Sequence, residues 1–157
     1  MIELIASITY WSLLLLLCLC CYSDIRYRKL PNCFCLLILA LGFLNLIIQP
    51  MEYKPEIVLL RIFYVFLVFI LGCFIYRLGC LGGGDIKLIA SLSIWFTPNN
   101  LVTFLILMTM FGGFLAGLSI LYNQIVVLFT SKLLAHKKIT TLPYGIAITA
   151  SATILLI

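Results

Sequence analysis

Two aspartates, Asp24 and Asp85, are the side chains of this sequence best suited to acid–base chemistry. The chain has only five acidic residues in a composition that is 65% hydrophobic. Two carboxyl groups held close together cannot both ionise easily, so one keeps its proton while the other stays charged. Such a pair supplies a general base that activates water and a general acid that protonates a leaving amine. The two residues therefore indicate a hydrolytic dyad, provided that the fold brings them together.

The segments around the two aspartates differ in what they offer. Asp24 directly follows an apolar run and precedes a basic stretch that ends at Asn32, whereas Asp85 follows the three glycines Gly82–Gly84. Glycine backbone can reach positive φ and admits the close approach of an extended substrate. Plainer alternatives stay open: Asp24 as a solvated ion partner at a membrane surface, Asp85 as a helix N-cap, and the glycines as a flexible turn.

Composition indicates that the bilayer is the solvent of this chain. Its 157 residues are 10% charged and have a mean hydropathy of +1.28, which is far more apolar than a soluble domain can hide in one core. A helix needs about 20 apolar residues to cross about 30 Å of hydrocarbon. The sequence predicts an all-α, polytopic membrane helix bundle that forms one domain over residues 1–157.

Apolar runs and the polar breaks between them set the predicted spans. The six spans cover residues 4–22, 33–48, 57–76, 86–98, 101–122 and 143–157. Residues 123–141 are partly apolar but also basic, and we expect an interfacial helix and a loop there.

The distribution of Lys and Arg predicts the orientation of the bundle. With the N-terminus outside, eight of the ten basic residues fall in cytoplasmic loops, as the positive-inside rule requires. Asp24 and Asp85 are separated by two spans, so both return to the cytoplasmic face, where they are the only acids. The net charge of +5 is explained by this topology and needs no nucleic-acid partner. The dyad would form if spans one and four pack together.

Three segments together resemble the signature of the type IV prepilin peptidase family, a branch of the GxGD aspartyl proteases. The segments are Asp24 with the downstream Arg-Tyr-Arg-Lys-Leu-Pro-Asn run, Gly82-Gly83-Gly84-Asp85-Ile86-Lys87, and Pro143-Tyr144-Gly145. Their order and spacing match the family over nearly the whole chain. The G-x-G-D element alone would be weak, but the D-x-R-x-x-x-x-P-N segment in a six-span chain makes the combination specific.

The resemblance implies an aspartyl endopeptidase of the inner or plasma cell membrane whose active site faces the cytoplasm. Its expected substrate is a pilin or pseudopilin precursor, from which it removes a short basic leader preceding an apolar N-terminal helix. Asp24 and Asp85 match the catalytic positions. The expected substrate-binding or supporting residues are Gly82, Gly83, Gly84, Pro143, Tyr144 and Gly145. Longer members methylate the new N-terminus and carry a cytoplasmic insert that is absent here, so the peptidase activity alone is expected.

The sequence predicts neither a metal nor another cofactor. Its seven cysteines lie mostly inside or beside apolar runs. Cys18 and Cys21 form a C-x-x-C, but no second such pair follows to complete a zinc site. We interpret the cysteines as small buried hydrophobic side chains.

Three further features favour structural interpretations. Lys87, two residues past Asp85, does not share its helix face and is expected to reach the lipid head groups. Trp95 at the outer end of span four is typical of an interfacial aromatic. Gly113 and Gly117 form a G-x-x-x-G face, which predicts close helix packing within the monomer.

Two other functions would use the same residues. In an ion-coupled transporter the two aspartates would relay ions, although both lie on one face and neither is mid-span. In a non-enzymatic assembly factor of a pilus or secretion machine, the glycines beside Asp85 have no obvious use. The sequence leaves open which precursor is cut and which oligomer forms.

Overall fold

The computed structural model describes residues 2–48, 55–79, 81–129 and 144–156. These residues form six α-helices and no strand, which confirms the predicted all-α bundle. The helices are α1 (Ile2–Tyr27), α2 (Asn32–Ile48), α3 (Pro55–Arg77), α4 (Gly83–Ser93), α5 (Pro98–Phe129) and α6 (Tyr144–Leu156). Proline begins α3 and α5, where its fixed φ suits a helix start and its missing N–H leaves no internal hydrogen bond unmade.

Helix length separates the six helices into two groups. Three are long and apolar enough to cross a membrane, over Leu4–Tyr27, Pro55–Arg77 and Pro98–Gln124, so the chain is a membrane protein as predicted. Helices α2 and α6 are apolar but shorter, with 17 and 13 residues.

The predicted fourth span is wrong in extent. Helix α4 has 11 residues and rises about 16 Å, roughly half of the hydrocarbon thickness. It begins before the predicted residue 86, at Gly83, and ends at Ser93, where the chain turns through Ile94 and Trp95. The apolar run is continuous through this turn, so hydropathy alone did not reveal it.

The short helix α4 forms the centre of the molecule. Seven of its 11 residues are buried, and it packs against α2, α3 and α6. Leu88 and Leu92 have no exposed surface. The hydroxyls of Ser91 and Ser93 donate to carbonyls of the same helix, at distances of 2.9 and 2.6 Å, so these buried polar groups are satisfied internally.

Trp95 is not the interfacial aromatic that the sequence predicted. Its side chain is 7% exposed, and its indole N–H donates to the carbonyl of Ile38 at 3.1 Å. The ring of Tyr10 lies 5.7 Å away between centroids. The tryptophan therefore joins the turn after α4 to α1 and α2.

Within the described part of the chain, nothing packs closely on the predicted G-x-x-x-G face of α5. A Cβ at Gly113 or Gly117 would meet no atom within 4 Å among the described residues. The close approach occurs instead at Gly112, where a Cβ would lie 2.8 Å from the Tyr144 ring. Helix α5 continues to Phe129, past the predicted end at residue 122, and residues 130–141 of the predicted interfacial helix and loop lie outside the described residues.

Candidate active site

Asp24 lies in the last turn of α1, where the helix changes into a tightly held loop. The Arg28 N–H donates to the Asp24 carbonyl at 3.0 Å, and Arg28 adopts a left-handed backbone with φ of 51°. A residue with left-handed backbone commonly ends a helix, although residues other than glycine rarely adopt this conformation. The Ser23 hydroxyl donates to the Lys29 carbonyl at 2.8 Å. These contacts fix the path of the chain directly after the aspartate.

The Asp24 carboxylate points at the start of α6. The Gly145 N–H donates to Asp24 Oδ2 at 2.8 Å, and α6 begins one residue earlier. The first N–H groups of a helix lack partners within the helix, and the helix dipole favours negative charge there. Asp24 is 7% exposed, so this donor stabilises the carboxylate where little water reaches it.

Gly145 is required at this contact for reasons of space. A Cβ at this position would lie 2.6 Å from Asp24 Oδ2 and 2.9 Å from Asp24 Cγ, closer than real Cβ atoms come. The neighbouring Tyr144 ring packs on Gly112 of α5, so α6 is braced on both sides of its first turn. Pro143, the third residue of the predicted segment, lies outside the described residues.

Asp85 is the third residue of α4 and not its N-cap. The N-cap is Gly82, which has an extended backbone with φ of −73° and ψ of 146° and offers no side-chain cap. The Gly82 N–H instead donates to the Asp85 carboxyl. This backward reach from the third position of a helix to the N-cap N–H is one half of a capping box. The plain N-cap interpretation of Asp85 is therefore wrong.

The three glycines before Asp85 supply space and not an unusual backbone. Among the described residues, positive φ occurs at Gly79 and Arg28, so the expectation of left-handed backbone at Gly82–Gly84 is wrong. A Cβ at Gly82 would lie 2.8 Å from Asp85 Oδ2, and one at Gly84 would lie 3.1 Å from the Leu30 side chain. At Gly83 a Cβ would make only ordinary contact. Two of the glycines thus let the carboxyl and the α1–α2 loop close onto α4.

Electrostatics separates the two carboxyl groups. Burial, and to a smaller extent the nearby Asp24 charge, raise the pKa of Asp85 to about 6, and the hydrogen bond from the Gly82 N–H opposes the rise. Near neutral pH, Asp85 therefore gains and loses a proton more readily than an ordinary carboxyl does, while Asp24 accepts a hydrogen bond from the Gly145 N–H. Two carboxyls in such different surroundings are suited to the two halves of acid–base chemistry.

The two aspartates meet without extensive packing between α1 and α4. Helices α2 and α6 each pack against both α1 and α4, and they bring the end of α1 to the start of α4. The predicted direct packing of spans one and four is therefore wrong, although Asp24 lies near enough for its charge to raise the pKa of Asp85. The relative position of the two carboxyl groups therefore depends on contacts made through other elements, such as α2 and α6.

One contact between the two signature segments, a hydrogen bond between Lys87 and Asn32, was not predicted from the sequence. The Lys87 ammonium donates to Asn32 Oδ1 at 2.9 Å, so the predicted contact of Lys87 with lipid head groups is not what the structure shows. Asn32 begins α2, and its amide oxygen accepts the hydrogen bond from this lysine. The sequence indicated that the segments containing Asn32 and Lys87 belong to one site. It did not indicate that these two side chains contact each other.

An apolar groove of about 350 Å³ runs between α2, α3 and α4 next to this contact. Its lining residues are Asn32, Cys35, Leu36, Leu39, Val65, Phe66, Phe69, Lys87, Ala90 and Ser91. The groove opens to the outside of the bundle and ends at Lys87, two residues from Asp85. An apolar segment that leaves the bilayer could reach the aspartates along it.

The cysteines of the described part of the chain are free thiols, namely Cys18, Cys20, Cys21, Cys33, Cys35 and Cys73. Three are exposed on the apolar surface of the helices, so the interpretation of all cysteines as buried is wrong for Cys18, Cys33 and Cys73. Within the described ranges, no three His, Cys, Asp or Glu side chains come together as metal ligands would. Independence of metal remains a prediction for the enzyme assay.

Comparison with known proteins gives one match. The model of the type IV leader peptidase family matches residues 11–118, a range that contains Asp24, Asp85 and Lys87 but stops before α6. No curated protein and no solved structure matches the chain significantly. This family comprises the type IV prepilin leader peptidases, which are hydrolases. The resemblance seen in the sequence is thereby confirmed, and the chain belongs to the type IV leader peptidase family.

Proposed function

We propose that this protein is an aspartyl endopeptidase that removes the short basic leader from pilin-like precursors, with Asp24 and Asp85 as its catalytic residues. The observation that carries the proposal is the convergence of three distant segments at one end of the bundle. Asp24 accepts a hydrogen bond from the Gly145 N–H, and its charge raises the pKa of Asp85. The Leu30 side chain lies against Gly84. An ion relay would need acids spread along a pathway across the membrane, whereas both carboxyls lie at the same end.

The different surroundings of the two carboxyls assign their roles. Asp24, as the anion, accepts a proton from a water molecule, whose oxygen attacks the carbonyl carbon of the scissile peptide bond. Asp85, as the acid, protonates the carbonyl oxygen, which gives a tetrahedral diol. Asp24 then passes its proton to the leaving nitrogen while the C–N bond breaks, and Asp85 recovers its proton from the diol. The cycle consumes one water and restores both carboxyls.

The apolar groove beside α4 suits the apolar helix that follows the leader in such precursors. Its walls come from α2, α3 and α4, and the aromatic rings of Phe66 and Phe69 line it. The helix of a precursor embedded in the bilayer can enter from the side without crossing water. The leader would then lie at the end of the bundle that carries the dyad, where the peptide bond to be cut meets Asp24 and Asp85.

Charge supports a cytoplasmic position of this end, in the cell membrane. Arg26, Arg28 and Lys29 follow Asp24, and Lys87 follows Asp85, while Lys and Arg favour cytoplasmic loops. The parity of α2 and α3 returns the chain to the same face between the two aspartates. Lipid contacts cover the remaining apolar helix surfaces.

The test is co-expression of the protein with candidate precursors, namely pilin, pseudopilin, competence-pilin and flagellin-like chains. Cleavage is read as a shift to smaller size on a gel, and mass spectrometry of the product locates the cut. We expect at least one precursor to lose its leader at the junction with the apolar helix. If none of the four classes is cut by protein that is inserted and abundant, the proposal is wrong.

A further inference from the structure

We propose that the hydrogen bond between Lys87 and Asn32 is a latch that positions Asp85 relative to Asp24. For its effect on catalysis the inference rests on the proposed function, but the latch itself is a property of the fold. Lys87 and Asn32 are 55 residues apart in sequence, and their side chains meet at 2.9 Å. Each lies close to one aspartate along the chain.

The loop between α1 and α2 carries the position of Asp24 to Asn32. The loop leaves α1 through the bond from Arg28 N–H to the Asp24 carbonyl, and the Ser23 hydroxyl holds its next carbonyl, that of Lys29. Both contacts involve Asp24 itself or its neighbour. A short loop attached in this way moves with the last turn of α1, so whatever holds its far end also holds Asp24.

The far end of the loop is attached to the first turns of α4. Leu30 lies against Gly84, close enough that a Cβ there would approach it to 3.1 Å. Asn32 accepts from Lys87, which lies two residues past Asp85 in the same helix. The two contacts flank Asp85 along α4. Since α1 and α4 do not pack broadly against each other, these contacts are a direct link between the two halves of the dyad.

The chemistry of the latch suits a site that changes its protonation. An ammonium paired with Asp85 would favour the ionised carboxyl and remove the acid that the reaction needs. The amide oxygen of Asn32 is neutral and accepts from Lys87 in every protonation state of the dyad. Asn32 therefore holds the lysine close to the site while leaving the charge of Asp85 uncompensated.

The experiment uses the full chain in lipid nanodiscs and four variants, K87M, N32A, the double variant and K87R. The matched control is K29M, which removes a cation from the same loop. Lys29 contacts Ser23 through its backbone carbonyl and not through its ammonium, so this contact is kept in the variant. Turnover is measured with a purified precursor that the protein cleaves, and kcat and KM are separated. Amide hydrogen exchange of residues 25–30 is measured without substrate.

We expect K87M and N32A each to lower kcat by about 10- to 100-fold, because misplacement of about 1 Å costs rates of this order, with little change in KM. The double variant should be no worse than the poorer single variant, since both remove the same bond. K87R should recover most of kcat, and K29M should match the wild type. Loop amides should exchange faster in K87M and N32A at unchanged thermal stability.

Three results would overturn the latch. Additive losses in the double variant would mean that the two side chains act separately. A raised KM with normal kcat would assign them to substrate binding, and unchanged loop exchange in both single variants would mean that the bond holds nothing in place. Failure of the wild type to cut any precursor would contradict the proposed function instead, and the exchange experiment would still decide the latch.

Discussion

At the scale of single residues, the two carboxyl groups differ because different backbone groups reach them. Asp24 accepts from the N-terminus of another helix, whereas Asp85 accepts from the residue that precedes its own helix. The first donor comes from a segment 121 residues away, so it depends on the whole fold. The second is local and is set by the glycine sequence. Each carboxyl therefore has one main-chain donor, supplied by a distant helix for Asp24 and by the local glycine segment for Asp85.

Replacement of either aspartate by asparagine should abolish cleavage. Asparagine keeps the size of the side chain but cannot exchange a proton, so D24N and D85N should lose nearly all turnover at normal abundance. The double variant should be no worse than either single one, because residues that act as a unit show this non-additivity. Precursor processing on a gel and membrane abundance by immunoblot test the prediction. Normal processing by either variant would contradict the dyad.

Protonation of Asp85 should appear in the pH dependence of folding stability. The folded pKa of Asp85, about 6, lies above its ordinary value of 3.8, so the folded state binds this proton more tightly than the unfolded state does. Stability from Asp85 is therefore fully present below about pH 3.8 and is lost as pH rises through about 6. The difference in thermal unfolding temperature between D85N and wild type should shift in favour of D85N across this window and then level off.

Thermal unfolding of both proteins in the same detergent, at a series of pH values, measures this difference. All other groups titrate in both proteins, so the comparison isolates Asp85 together with its coupling to Asp24. A difference that stays constant from acid to neutral pH would mean that Asp85 has an ordinary pKa.

At the scale of elements, α6 is the helix that completes the site. It packs against α1, α4 and α5, and its first turn lies between the Asp24 carboxylate and Gly112 of α5. Because α1 and α4 are held apart, the placement of this N-terminus decides where the carboxylate of Asp24 points. The proposed catalytic end is therefore assembled from helices at both ends of the sequence.

Gly145→Ala should cost most of the cleavage activity. The new methyl group would lie within 3 Å of the Asp24 carboxyl, so either the carboxyl turns away or α6 shifts, and errors of about 1 Å can reduce rates about 100-fold. Gly113→Ala is the matched control, because its added methyl meets open space and should slightly stabilise α5. Turnover of both variants with one precursor provides the measurement. Equal activities would mean that Gly145 does not constrain Asp24.

The sequence predicted the six helices and the two aspartates, and it failed where contacts between helices decide the outcome. Apolar runs located α1, α3 and α5 because each is long enough to be recognised by length. The end of α4 was missed because the apolar run continues through Ile94 and Trp95. The partners of Lys87 and Gly145 could not be deduced because the sequence does not specify which faces of α2 and α6 turn inward.

At the scale of the whole molecule, all three signature segments belong to one end of a bundle that the bilayer surrounds. Large apolar side chains are exposed along α1, α3 and α5, as expected where lipid tails and not water are the neighbours. Buried polar and charged side chains, such as Arg61 of α3 and Ser93 of α4, lie inside the bundle. In the proposed orientation, the end of α1 that carries Arg26 and Arg28 faces the cytoplasm.

A membrane-impermeant thiol reagent should report this orientation in a cysteine-free background. Lys29→Cys and His136→Cys should be labelled only after the cytoplasmic side is opened, whereas Lys54→Cys should be labelled on intact cells, because the basic residues favour the inner face. Modification is read as a mass shift on a gel. Opposite labelling of the first two positions would place the parts of the site on different faces.

Helix α5 extends farther beyond the level of the two aspartates than α1 and α3 do. Its contact with Tyr144 at Gly112 marks the level of the dyad, yet the helix continues to Phe129, about 25 Å farther along its axis. Helices α1 and α3 end near the level of the dyad, so hydrocarbon that matches them is too thin for the apolar far half of α5. A helix longer than its bilayer tilts or thickens the lipid around it. The thickness of the surrounding lipid is therefore a variable that we expect to act on how deep the two aspartates sit.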